Sequence, residues 1–323
     1  MRIGLTYDLQ TDPTDERQAE FDPPATIEAL RGSLAALGHE VIPLGSAHDL
    51  VAAPQRLKVV GLVFNIAEGS HGRCREAWVP TLLELRGVPY VGSDALALML
   101  GLDKVMSKRL AAVAGIATPR WISVEKLSAL LSPVPLAFPV IVKPRFEGSG
   151  RGIDAGAVVR TPEALAARLA WLFARCEQPM LVEEFIAAGE LTVCVIGNDP
   201  PIAYPAIQRP LDPATRLSCH VITPAPSRWD TPLSLDAALD AEARRIALAM
   251  FDALGCRDMA RVDLRVDDQS RVYFLEINPL PSFDPSGSFG LLAEFLGTTY
   301  TELMSRILEA ALRRVKDAEM AAR

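Results

Sequence analysis

Four polar side chains alternate along ARVDLRVDDQSRVYFLEINP, residues 260–279. Arg261 and Asp263 precede the polar run Asp267-Asp268-Gln269-Ser270, and Glu276 and Asn278 follow it. Alternate residues of a strand share a face, and such a run favours a hairpin turn. A hairpin turning through this run, centred between Gln269 and Ser270, sets Asp263 opposite Glu276 and Arg261 opposite Asn278. Facing carboxylates repel, so the pair calls for a cation. Two carboxylates and an amide are the oxygen donors that Mg²⁺ favours, with waters and phosphates as its remaining ligands. Arg261 beside them could stabilise a developing oxyanion or phosphate charge. A surface hairpin with an Arg–Glu ion pair uses the same residue types. Against it stands the apolar run VYFLEINP, which would leave the acids half-buried and in need of a partner.

Three other stretches could carry chemistry. KPRFEGSGRGI (143–153) is a lysine followed by a glycine loop; it matches neither the P-loop nor the dinucleotide fingerprint. Its glycines would let backbone N–H groups approach phosphate oxygens and Lys143 would add a charge, although an ordinary hairpin loop reads the same way. Lys104 in LDKVMSKRL is a second lysine of this kind, open equally to a solvated role. In MLVEEFIAAGELTV (180–193), a strand enters a connector that could present backbone groups to an adenine edge. Glu183 would accept from an exocyclic amine and Glu190 from ribose hydroxyls.

The elements that must hold these residues follow from pattern. RIGLTYDL reads as a strand, PATIEALRGSLAALGHEVIPL as a helix closed by Gly38 and a strand, and VVGLVFNIAEG as another buried strand. AWVPTLLELRGVPYVGS adds a helix and a strand, so the first hundred residues form a parallel α/β unit. A helix stopped by Gly115 and Pro119, a strand, the glycine loop between strands and a helix capped by Thr161 come next. Two strands, an irregular stretch at 208–229, a helix over LDAEARRIALAMFDALGC, the hairpin and a helix from about 299 to 316 complete the chain, with a frayed end KDAEMAAR.

Bulk properties narrow the classes. The 323 residues suffice for two or three domains, and 50% hydrophobic with 23% charged is ordinary for a globular protein. A net charge of -7 argues against a nucleic-acid surface. Five scattered cysteines without a CxxC pair fit neither a disulfide framework nor a zinc site. With no run of 18 apolar residues and no signal peptide, a soluble cytoplasmic protein is expected.

Taken together and in order, LVFNIAEG, LLELRGVPYVGS, LDKVMSKRLAAVAGIATP, VIVKPRFEGSGRGI, LVEEFIAAGELTV, ALGCRDMARVDLRV and YFLEINPLP resemble the ATP-grasp superfamily, and within it the D-alanine–D-alanine ligase family. The resemblance implies an α/β (α+β) ATP-grasp fold: a Rossmann-like domain at 1–100, a central subdomain at 101–180 and a C-terminal subdomain at 181–318. Lys104 and Lys143 would contact ATP phosphates. Glu183, the backbone of Glu184, Phe185 and Ile186, and Glu190 would hold adenosine. Glu147, Gly148 and Ser149 would close over the phosphates, Ser149 also orienting substrate. Asp263, Glu276 and Asn278 would bind two Mg²⁺ ions, or Mn²⁺, and Arg261 would stabilise the tetrahedral intermediate. Glu20 and Glu68 fall at the substrate end. Small carboxylate and amine substrates, an acyl phosphate, release of ADP and a homodimer are implied with them.

Departures from the family pattern cluster at that substrate end. The usual tyrosine- and lysine-bearing loop is replaced by AIQRPLDPATRLSCHVITPAP, with Arg209, Arg216 and His220. Glu68 stands where a histidine is usual, and RCREA brings Arg75 and Glu76. The ammonium-binding glutamate of the first domain has Glu20 and Asp22 as its nearest counterparts. In PLPSFDPSGS the acceptor serine falls near Gly287, between Ser286 and Ser288. Four readings follow: a D-alanine–D-alanine ligase serving peptidoglycan, a ligase for another carboxylate and amine, an ATP-binding protein without catalysis, or an acyl-phosphate kinase without an amine acceptor. Joint retention of Arg261, Asp263, Glu276 and Asn278 speaks against the third.

Overall fold

A computed structural model describes residues 1–218 and 233–321. Its first sheet holds β1 (Arg2–Thr6), β2 (Glu40–Gly45), β3 (Leu62–Asn65) and β4 (Tyr90–Val91), all parallel in the order β2-β1-β3-β4. Helices α1 (Pro24–Ala36), α2 (Ala47–Ala52) and α3 (Trp78–Leu85) connect these strands, as the strand–helix alternation requires. Ligands of open parallel sheets collect at the carboxyl ends of the strands. The segments that leave β1 and β3 at those ends carry Glu20 with Asp22, and Glu68.

Helices α4 (Ala95–Leu102) and α5 (Lys104–Val113) lead into a second, antiparallel sheet. It comprises β5 (Trp121–Val124), β6 (Val140–Pro144), β7 (Val158–Val159) and β8 (Met180–Glu184) in the order β5-β8-β6-β7. Thr161 caps α6 (Pro162–Phe173) through the Ala164 N–H, and Leu165, Leu169 and Leu172 of that helix pack on Val140, Val142 and Val182. Because Met180–Glu184 pairs into this sheet, we place the crossing to the next sheet at 185–188 rather than at 180/181.

The third sheet is antiparallel, with β9 (Gly189–Ile196), β10 (Ile202–Ala203), β11 (Ile207–Gln208), β12 (Met259–Val266) and β13 (Val272–Asn278). Leu191, Val193, Val262 and Leu264 face α7 (Ala237–Ala253), where Ile246, Met250 and Phe251 cover them. Cys194, Ile196 and Met259 enter a second core with Ile3, Leu5 and Phe64 of the first sheet. Burial on both faces explains why β9 is apolar almost throughout.

The pattern reading held no helix at α2 or α4, and two later helices depart from it as well. Ser288–Phe295 forms α8, which the serine- and glycine-rich sequence concealed. α9 (Tyr300–Ala321) runs past the expected end near 316 through the segment read as frayed. No glycine or proline interrupts it, and Leu303, Met304, Ile307 and Leu308 anchor one face. Among the described residues no helix is long and apolar enough to cross a membrane.

Candidate active site

The β12–β13 hairpin has the expected register at its polar end: Arg261 lies opposite Asn278 and Asp263 opposite Glu276. Beyond Asp263 the pairing slips by one, so Leu264 faces Phe274, and a bulge separates the acidic pair from the turn. On its other side β12 pairs with β9, which sets Thr192 beside Asp263 and Glu190 beside Arg265. Asp263 accepts from Thr192 Oγ1 at 2.8 Å, from Arg261 Nε at 3.0 Å and from Asn278 Nδ2 at 3.3 Å. Glu276 lies 3.6 Å from Lys104 Nζ. The cations that the facing carboxylates call for are, in the protein alone, Arg261 and Lys104.

Lys104 opens α5 directly after its N-cap, Asp103, whose carboxylate accepts from the Val105 and Met106 N–H groups. A two-pronged ion pair with Arg145, 2.7 Å on each prong, fixes that cap to the strand leading into the glycine loop. The Lys104 ammonium donates to the Glu147 carbonyl while facing Glu276, and so ties the loop to the hairpin. The loop is also held from the first sheet. Glu20 accepts from Gly148 N–H at 2.6 Å and pairs with Arg75 at 2.6 Å, and Arg75 donates to the Phe146 carbonyl at 2.7 Å. A Cβ at Gly148 would stand 2.5 Å from the Glu20 carboxylate, so the clasp needs glycine there. Ser149 next to it adopts a positive φ of 47°.

Glu183 and Glu190 sit on either side of the crossing between the two antiparallel sheets. Lys143 reaches Glu183 at 2.6 Å and Lys108 reaches it at 2.7 Å, all three buried. Burial alone would raise the Glu183 carboxyl; the two lysines outweigh it and hold it at about 2. Glu190 pairs with Arg265 at 2.7 Å, and the Arg265 guanidinium also covers the Phe185 ring at 5.2 Å. The pattern reading missed Lys108 and Arg265. Lys108 lies one helical turn beyond Lys104, and Arg265 continues the alternation of Arg261 and Asp263, so both shared the right face in the sequence.

A cavity of about 290 Å³ opens between the hairpin, the glycine loop and the carboxyl ends of β1 and β3. Glu20, Glu68, Lys104, Glu147, Gly148, Ser149, Arg261, Glu276 and Asn278 all line it; Lys143, Glu183, Glu190 and Asp263 do not. Asp22, Glu76 and Asp284 join the lining. Ser286, Gly287 and Ser288 lie outside it: the lining stops at Asp284, which accepts from the Ser286 N–H at 2.7 Å, and Gly287 caps α8. Arg216 is likewise employed elsewhere, donating to the Ala187 and Ala188 carbonyls. Arg209 is absent from the lining, and His220 lies outside the described residues.

No group of three or more histidine, cysteine or acidic side chains able to hold a metal occurs among the described residues. The hairpin offers two carboxylates and one amide. That is a hard-oxygen half-site, suited to Mg²⁺ whose shell is completed by water and phosphate.

Similarity to known proteins fits this geometry. A family model described as "D-ala D-ala ligase C-terminus" matches residues 110–309. The chain is 34% identical to a D-alanine–D-alanine ligase of Syntrophotalea carbinolica, over 90% of this chain and 91% of the relative. It is 32% identical, over 89% and 87%, to the Sinorhizobium fredii protein y4sG, which is described as uncharacterized. The D-alanine–D-alanine ligase of Bacillus anthracis, solved in complex with ATP, superposes with a TM-score of 0.76 at 25% identity, covering 98% of this chain and 99% of that one. The chain belongs to the D-alanine–D-alanine ligase family, ATP-dependent ligases of the ATP-grasp fold that form carbon–nitrogen bonds.

Proposed function

We propose that this ligase activates a small carboxylate substrate as an acyl phosphate and transfers the acyl group to a small amine. The observation that carries the reading is the gathering of Arg261, Asp263, Glu276 and Asn278 on one hairpin, with Lys104 bridging Glu276 and the Glu147 carbonyl. A carboxylate oxygen attacks the γ-phosphorus, the bond to the β–γ bridging oxygen breaks, and ADP leaves with that electron pair. The amine nitrogen then attacks the acyl carbon, phosphate leaves with the C–O electron pair, and the nitrogen gives up its proton to the medium. Lys104 and Lys143 present positive charge to the phosphates, and Arg261 faces the oxyanion formed at the acyl carbon. Peptide groups of Glu184, Phe185 and Ile186 with Glu183 take the adenine edge, and Glu190 takes the ribose. The Glu20–Arg75 clasp keeps the 147–149 loop closed and water out, which protects an acyl phosphate from hydrolysis. Ser149 orients the substrate, and Glu68 faces it from the first domain.

Asp263, Glu276 and Asn278 would hold Mg²⁺, or Mn²⁺ in its place, and the metal when bound would offset phosphate charge. The relatives' names make D-alanine the first carboxylate substrate to try. The scattered cysteines support a cytoplasmic setting. Light scattering would decide whether the chain is the homodimer its family resemblance suggests.

A coupled ADP assay with D-alanine, alone and with a panel of amines, tests the reading. ADP should appear in step with amide. Release of AMP, or no nucleotide turnover across the panel, would refute it.

A further inference from the structure

The acyl-phosphate chemistry leaves one buried cation of the nucleotide end without a task. Lys108 lies one turn beyond Lys104 on α5, at 0% exposure, and its ammonium stands 2.7 Å from Glu183 Oε2. Lys143, at the mouth of the glycine loop, holds the other oxygen of that carboxylate at 2.6 Å. The contact with Lys108 is one of charge. Glu183 Oε2 accepts no hydrogen bond from a described residue, and the Lys108 N–H goes instead to Thr118 Oγ1 at 2.8 Å. Thr118 in turn donates to the Phe274 carbonyl at 2.9 Å, and the Phe274 N–H donates to the Ala117 carbonyl at 2.8 Å. Phe274 belongs to β13, so Lys108 is fixed to the strand that carries Glu276 and Asn278.

A single lysine beside Glu183 would surrender its charge to the carboxylate, and a neutral pair attracts a phosphate only weakly. Two lysines on one carboxylate leave one positive charge over. Lys108 bears the strain of that surplus: burial, with Lys143 beside it, lowers its ammonium from the usual 10.5. Burial would lower Lys143 too, but Glu183 and Glu276 together outweigh it and raise that ammonium. Glu276 is itself 3.6 Å from Lys104.

Resting on the reading of Lys143 as a phosphate contact, we propose that Lys108 is a positioning residue for phosphoryl transfer. It shares the Glu183 carboxylate, so that Lys143 keeps charge to give to the phosphates. Through Thr118 it also holds the three groups in register with the β12–β13 hairpin. Fully buried, Lys108 acts through Glu183 and Lys143 rather than on the nucleotide itself.

The test is a ratio of two affinities, in which effects on the adenosine end cancel. Displacement of fluorescent N-methylanthraniloyl-ADP from the full chain, with Mg²⁺ present, gives the affinities of β,γ-imido-ATP and of adenosine. Lys108→Met should lower the ratio of the first to the second by about tenfold, and Lys143→Met by at least as much. Glu183→Gln added to Lys108→Met removes the carboxylate that would otherwise neutralise Lys143. The ratio should then return to within about threefold of the native value. A lysine that only fills the core would move both affinities together and gain nothing from the second change. Should Lys108→Met not fold, Lys108→Gln gives the same readout, and binding of the fluorescent probe reports a folded chain. A ratio unchanged in Lys108→Met, or no recovery in the double variant, would overturn the proposal; loss of the ratio in Lys143→Met would still uphold the phosphate reading. A ratio unchanged in Lys143→Met as well would sink that reading and this proposal with it.

Discussion

The two ends of the candidate site handle buried charge in opposite ways. Around Glu183 and Glu190 each carboxylate has its cations from the same chain: Lys108 and Lys143 for one, Arg265 for the other. Around the cavity, Asp22, Glu68 and Glu76 have no ion pair within 4 Å among the described residues, and Arg75 and Lys104 act on Glu76 only from farther off. The first arrangement is complete before anything binds, so it can act as a rigid frame on which a nucleotide is positioned. The second lacks such ion pairs among the described residues, and burial answers the charge instead, raising Asp22 to about 7 and Glu76 to about 8. A self-neutralised region teaches how the fold is held; a region crowded with shifted carboxyls teaches where its chemistry sits.

The sharpest way to break this contrast is at the hairpin between the two ends. Glu276→Gln keeps the size but halves the acidic donor pair, and should lower turnover by roughly 10³-fold while nucleotide still binds. Steady-state kinetics beside an ADP titration would check it; turnover near that of the native chain would remove Glu276 from the metal assignment. Next comes the self-neutralised end. Glu183→Ala strands Lys108 and Lys143 as buried unpaired cations, and should cost about 3–5 kcal/mol of stability in chemical denaturation. A loss well under 1 kcal/mol would mean that this frame is not rigidly charge-paired.

A smaller effect is expected at the clasp that joins the loop to the first sheet. Arg75→Met releases Glu20 and the Phe146 carbonyl, so the loop should open more often and let water reach the acyl phosphate. ADP release should then outrun amide formation, by about threefold to tenfold, where the native chain keeps them equal. Strict coupling in Arg75→Met would show that the clasp does not exclude water.

The smallest effect concerns the carboxyl-crowded end without ligand. Burial, with Asp8 and Asp284 nearby, lifts the Asp22 carboxyl from its ordinary 3.8 to about 7. A carboxyl raised in the folded state favours folding while protonated. That contribution is whole below pH 4 and is lost as pH rises through about 7. Asp22→Asn should therefore raise Tm at pH 8 by about 1–2 °C, the shift expected for roughly 1 kcal/mol in a chain somewhat larger than those for which about 2–4 °C is usual. At pH 5 the gain should be less. Stability bought at the expense of binding would be the signature of a functional, strained carboxylate.

How far the sequence could be read follows the same division. Alternation along 260–279 was enough for the register of Arg261 with Asn278 and Asp263 with Glu276, because the period of a strand is local. The bulge past Asp263, which shifts the pairing by one, was not readable, since alternation fixes a face and not a register. The parallel first sheet and the Thr161 cap were legible for the same local reason. Glu183 and Glu190 stood out as acids within apolar strands, but their cations depend on which helix face and which neighbouring strand pack there. The pairing of Glu20 with Arg75 spans 55 residues and has no local trace. α8 was hidden because Ser286, Gly287 and Ser288 read as turn, whereas Phe289 and Leu292 draw the segment onto the core. The crowding of carboxyls around Asp22 and Glu76 is a property of assembled loops, and only the folded chain displays it.

The most direct test of carboxylate activation at this hairpin follows oxygen rather than nucleotide. With a substrate labelled with ¹⁸O in its carboxylate, mass spectrometry of the released phosphate should find one labelled oxygen per amide formed, and ADP as the nucleotide product. Unlabelled phosphate, or label recovered in AMP, would contradict the acyl phosphate and with it the roles given to Arg261, Asp263, Glu276 and Asn278.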